Sequence, residues 1–217
     1  MVPEISQSFY ENDKEKLHVS IKRSIDACTV ISALIIPVFV ACGKSLGRFI
    51  YGSEEAGFYL SVAAGAMLPM SVSMITNSLL NSVGKERKTL VNYVIGALIM
   101  FSVIWFLPKY MGIYSLILAY FLSFALTAVL NAFTLKKVLN KKTGCLKTIV
   151  LSCLSVIVSA TFGVLLSGVT KNLPDIVIII VCALAITAFN LTLLAVFGVI
   201  NVSEIVSKVR FKKQKTV

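Results

Sequence analysis

Six stretches of the chain carry no charged residue: 27–43, 56–84, 89–108, 112–135, 148–170 and 176–202. A hydrocarbon core of about 30 Å is crossed by about 20 helical residues, and runs of about 18 or more read as transmembrane helices. The pattern therefore predicts an all-α, polytopic membrane helix bundle with six transmembrane helices. The first stretch is the shortest and needs the polar turn Ser24–Asp26 to complete a crossing. Ahead of it, Leu17, Ile21 and Ile25 recur at four-residue spacing, which predicts a weakly amphipathic helix from Asp13 onward, lying at the membrane interface and feeding the first span. The connections at 85–88 and 109–111 are short, so spans two, three and four read as neighbouring hairpins. The domain reading is a cytoplasmic arm over 1–26, a six-helix transmembrane lobe over 27–202 and a basic tail over 203–217.

Composition narrows the class. Hydrophobic residues make up 57% of the 217 positions, charged residues 14%, and the mean hydropathy is +0.89. Soluble domains carry about 25% charge and about 45–50% apolar residues. A cytosolic enzyme, a disordered chain and a disulfide-stapled secreted module are excluded on that ground. The charged arm is too long for the n-region of a signal peptide, and no small-residue cleavage site follows Ala27.

The formal charge of +11 changes the picture once it is sorted by segment. Seventeen of the 21 basic residues lie in the N-terminal arm, the 85–88 loop, the 136–147 loop and the C-terminal tail; the other four are Lys44, Arg48, Lys109 and Lys171. Rich and poor segments alternate as six crossings require. The positive-inside rule then places both termini in the cytoplasm. A nucleic-acid partner has no support, because the basic residues form no patch interleaved with aromatics on a soluble surface.

No Asp, Glu, Lys, Arg or His lies in the middle of a span. Ionisable groups at membrane depth mark ion sites and proton relays, and coupling through such a group is expected to lie outside this chain. The five cysteines include no C-x-x-C pair and read as small apolar side chains. With the single His18 in the polar arm, neither a metal cluster nor a Ser–His–Asp constellation can be assembled. No metal, no cofactor and no enzymatic activity are expected.

Polar residues concentrate instead in spans two and four. Span two carries Ser71, Ser73, Thr76, Asn77, Ser78, Asn81 and Ser82, and span four carries Ser115, Ser123, Thr127 and Asn131. Ser73, Asn77, Asn81, Ser123, Thr127 and Asn131 are the candidate cavity-lining residues; interhelical packing by small and hydrogen-bonding side chains is the competing reading. Ser155, Ser159, Gly163 and Ser167 of span five form a small-xxx-small line that reads as packing. Pro37 and Pro69 each remove a helical hydrogen bond and mark candidate kinks. A polar but uncharged interior suits a large amphiphile with a sugar head better than a small ion.

Four segments resemble the polysaccharide-biosynthesis and lipid-flippase branch of the MOP exporter superfamily. They are VPEIS (Val2 to Ser6), KSLGRFIYGSEEAGFYL (Lys44 to Leu60), SLLNSVGKERKTLV (Ser78 to Val91) and YMGIYSLILAYFLSFALTAVLNAFTLKKVL (Tyr110 to Leu139). The nearest type is that of stage V sporulation protein B, related to lipid II flippases. The resemblance implies one lobe of a MATE-like fold, the C-terminal one, working in cell wall biogenesis or sporulation with a missing or separately encoded N-terminal lobe. It also implies a multi-pass protein of the bacterial plasma membrane that flips a lipid-linked oligosaccharide or peptidoglycan precursor across the bilayer by alternating access. It transfers no substrate-binding residue. Half of a cation-coupled multidrug exporter and a truncated, non-transporting membrane scaffold are the alternatives.

Overall fold

The computed structural model describes residues 2–11, 13–139, 145–169 and 174–199. The basic tail, and Lys141, Lys142 and Lys171, lie outside them. The described residues are helical apart from short connections and contain no strand, and six helices are long and apolar enough to cross a membrane, so the chain is a multi-pass membrane protein. Helix α1 (Val2–Tyr10) precedes α2 (Lys14–Tyr51), which is span one. Span two is α3 (Glu54–Ala63), a 3-10 turn (Ala64–Ala66) and α4 (Met67–Ser82). Span three is α5 (Glu86–Phe106), and a single turn, α6 (Pro108–Met111), leads to span four, α7 (Tyr114–Leu139). Spans five and six are α8 (Leu146–Val169) and α9 (Asp175–Val196).

The helix ends follow local chemistry. Asp13 caps α2, its Oδ1 accepting the N–H of Lys16 at 3.0 Å. Ser53 caps α3 by accepting the N–H of Ala56 at 3.3 Å. Either cap satisfies one of the donors a helix start leaves unpaired. Gly84 turns the chain between spans two and three with φ 68°, a left-handed conformation that costs glycine little.

Three features differ from the sequence-based expectation. From Lys14 onward the arm and the first span are one continuous helix of 38 residues, so the span predicted to be shortest belongs to the longest helix. The Leu17–Ile21–Ile25 stripe does not face lipid. It is buried with Ile5, Leu79, Leu80, Val83, Leu135, Leu139 and Cys145, because α1 and the ends of α4 and α7 meet it there. Third, spans two and three barely touch along their length: span four is wedged between them and packs extensively on both. A short loop fixes where two helices start, not whether they stay together.

Span one is the hub, packing against spans two, five and six. The spatial order is therefore three, four, two, one, with five and six together on the far side of span one. Lys85 and the first turn of α5, with Arg87 and Lys88, mark one end of the bundle, the basic end; Arg48 marks the other. Around the Arg48 end stand exposed Phe49, Tyr51, Trp105, Phe106 and Tyr110, the amphipathic aromatics that settle at a membrane–water interface.

Candidate functional site

Span two is held differently at its two ends. At the basic end, Asn131 of α7 is fully buried and reaches α4 with its amide nitrogen, donating to Asn77 Oδ1 at 2.6 Å and to Thr76 Oγ1 at 3.2 Å. Its amide oxygen accepts from Asn92 Nδ2 of α5 at 2.9 Å, and Asn92 also donates to Thr134 Oγ1 at 3.4 Å. Spans two, three and four are thus tied through one side chain. A buried amide without partners would lose about 1–3 kcal/mol, so each member depends on the others.

Toward the Arg48 end, span two leaves span four and closes on span one. Gly43 and Gly47 of α2 meet Gly57 of α3 so closely that a methyl group on any of the three would overlap backbone. Ser61 joins this contact by donating from Oγ to the Phe39 carbonyl at 3.3 Å. Small residues four apart let helix backbones approach in a bilayer. A 3-10 turn, Ala64–Ala66, separates the two halves of span two. Pro69 lies just after it and cannot donate to the carbonyl of Gly65, four residues earlier. Pro37, by contrast, sits inside α2 without interrupting it.

The splay leaves a cleft between α3 and α7. Its mouth is a cavity of about 330 Å³ bounded by Lys44, Glu54, Glu55, Phe58, Tyr59 and Tyr114. The three rings pack edge to face, with Tyr59 and Tyr114 centroids 5.5 Å apart and Phe58 and Tyr114 6.4 Å apart. Below the mouth, an apolar groove of about 280 Å³ runs between α3 and α7 past Val62, Gly65, Ala66 and Phe121. A second groove of about 500 Å³ lies on the other side of α3, against α2 and α8.

An ion-pair fork braces the same end. Arg48 donates from Nη1 to Glu54 Oε1 at 2.8 Å and from Nη2 to Asp175 Oδ1 at 2.7 Å, tying α2 to the starts of α3 and α9. Spans one, five and six meet along a third polar line. Ser152, Ser155, Ser159 and Asn190 are all fully buried there, and Asn190 Nδ2 donates to the Ala33 carbonyl at 2.6 Å.

The candidate residues separate accordingly. Asn77 and Asn131 are brought together, and Ser73 is buried on α4. Ser123 and Thr127 lie at the crossing of α5 and α7, where the missing side chain of Gly96 makes room for them. Asn81 is exposed on the last turn of α4. Asn92 and the three close-packed glycines carry as much of the geometry and were not singled out by sequence reasoning. The glycines had a readable signal in Gly43-x-x-x-Gly47, whereas Asn92 had none beyond its polarity. No family model, no curated protein and no solved structure matches this chain.

Proposed function

We propose that the chain is one lobe of a transporter that moves a lipid-linked saccharide across the bacterial inner membrane by alternating access. The saccharide is an oligosaccharide or a peptidoglycan precursor, and both termini are cytoplasmic. One observation carries this reading: span two is pinned to span four at the basic end and locked to span one at the other, with a 3-10 turn between the two. A helix fixed that way opens a cleft on one side while the opposite side stays shut. The cleft has apolar walls and a polar, aromatic mouth, the two environments an amphiphile requires. Discontinuous helices line the transport path in several transporter folds. The order of the four resembling segments supports placement in the lipid-flippase branch of the MOP exporter superfamily, with an N-terminal lobe as partner.

The test is translocation of a fluorescent lipid-linked disaccharide in vesicles holding this chain together with the lobe that co-purifies with it. Protection from a membrane-impermeant reductant is the readout. Wild-type protein should accelerate loss of protection over protein-free vesicles, and Ala66→Trp, which fills the groove between α3 and α7, should abolish the gain. Translocation no faster than in empty vesicles rejects the reading. Orientation is tested separately by an impermeant maleimide at Glu54→Cys and Arg87→Cys: labelling from opposite sides is expected, and labelling from the same side rejects the topology.

A further inference from the structure

The mouth of the cleft has a charge pattern of its own. Arg48 is already engaged with Glu54 and Asp175. Of the remaining charges at the mouth, Lys44 and Glu55 are both exposed, and neither has an ion-pair partner among the described residues. One free cation and one free carboxylate therefore border a single cavity floored by Phe58, Tyr59 and Tyr114. Lys44 lies seven residues below the end of α2, about 10 Å at 1.5 Å per residue. A lysine at that depth either snorkels outward or meets an anion.

The two grooves are not independent of this mouth. The groove toward α7 shares Tyr114 with it, and the groove toward α8 shares Lys44 and Phe58. Val62 stands on α3 between the two grooves and lines both. A ligand seated at the mouth thus has two apolar channels leading away from it, one on either side of α3.

We infer that this site holds a two-chain zwitterionic phospholipid, seated astride α3. Its phosphate faces Lys44, its ammonium faces Glu55 and the aromatic rings, and its two acyl chains run in the two grooves. The zwitterion follows from the pairing of one free cation with one free carboxylate. An anionic head group with no amine would bring its negative charge to Glu55 uncompensated. Aromatic faces add attraction for the ammonium. Two chains follow from two grooves that meet at one mouth. The inference stands whether or not the chain transports anything.

The experiment is lipid retention by the purified full chain in detergent. Native mass spectrometry counts bound phosphatidylethanolamine, phosphatidylglycerol or phosphatidylcholine with identical acyl chains. One phosphatidylethanolamine should remain bound at concentrations about tenfold below those needed for phosphatidylglycerol, a difference of about 1.4 kcal/mol. Lys44→Gln and Glu55→Gln should each remove that preference, and both side chains are exposed, so the fold is retained. Lys109→Gln, at the same end but outside the cavity, should leave it unchanged. Val62→Trp should reduce retention of all three lipids by filling both grooves. Equal retention of phosphatidylethanolamine and phosphatidylglycerol overturns the proposal, as does unchanged preference in Lys44→Gln/Glu55→Gln. Complete displacement by glycerophosphoethanolamine, which has the head group without chains, overturns the two-groove seat.

Discussion

Asn190 does for Ala33 what Pro37 cannot. The carbonyl of Ala33 would accept the N–H of the residue four positions on, and that residue is Pro37, which has none. Asn190 Nδ2 of span six donates to it instead, at 2.6 Å in a fully buried setting. A proline in span one is thus answered by an amide 157 positions away. Asn190→Leu should destabilise the protein by about 1–3 kcal/mol, because it strands a buried carbonyl. In a Pro37→Ala background the same change should cost less, since the helix can then serve Ala33 itself. Unfolding in sodium dodecyl sulfate, arranged as a double-mutant cycle, reads the coupling. Strictly additive effects would show that Asn190 does not compensate Pro37.

Asn131 should be the most sensitive of the polar positions in span four. Asn131→Leu removes the partner of Asn77 and the closer of the two partners of Asn92, and should lose about 1–3 kcal/mol. Single interhelical hydrogen bonds in membranes average about 0.6 kcal/mol, so Asn77→Leu should do less. Asn81 is exposed, and Asn81→Leu should change stability by less than about 0.5 kcal/mol. Detergent melting curves of the three variants should keep this rank; a loss at Asn81 as large as that at Asn131 would contradict the network.

The glycine contact makes an opposite pair of predictions. Gly57→Ala drives a methyl group into the backbone at Gly43 and Lys44 and should lower the melting temperature while loosening span two from span one. Gly65 has open space where a side chain would begin. Gly65→Ala should therefore be tolerated, with a gain of up to about 1 kcal/mol from reduced freedom of the unfolded chain. A neutral Gly57→Ala would mean that α2 and α3 are not in backbone contact.

The Arg48 fork is half exposed, so its contribution is modest and screened. Arg48→Gln should cost about 1 kcal/mol or less at low salt. That cost should shrink at 1 M salt, where the Debye length is about 3 Å. Melting temperatures of both proteins at the two salt concentrations test this. A difference independent of salt would point to lost packing rather than lost charge.

Much of the architecture was legible in one dimension. Charge-free length located all six spans, and Asp13 marked the start of the helix leading into the first. The stripe of Leu17, Ile21 and Ile25 was legible as apolar, but what covers it was not. Period tells which side of a helix avoids water; it does not distinguish lipid from protein, and here α1 and the ends of spans two and four take the place of lipid. The same ambiguity hid the spatial order, because hydrophobic residues read alike against a neighbouring helix and against acyl chains. Asn77 and Asn131 stood out because spans two and four are rich in polar groups. Asn92 did not, since a lone amide in an apolar span acquires its meaning only from a partner 39 positions away.

Span four lies between the two helices that precede it in the chain. Biogenesis has to respect that arrangement. When spans two and three emerge, Asn77 and Asn92 have no Asn131 to meet, so the nascent pair keeps two polar groups in want of a partner until the next helix enters between them. A chain ending at Phe106 would present those amides to the bilayer without the partner that span four brings. Once Asn131 is seated, spans two, three and four stop being separate insertions and become one unit.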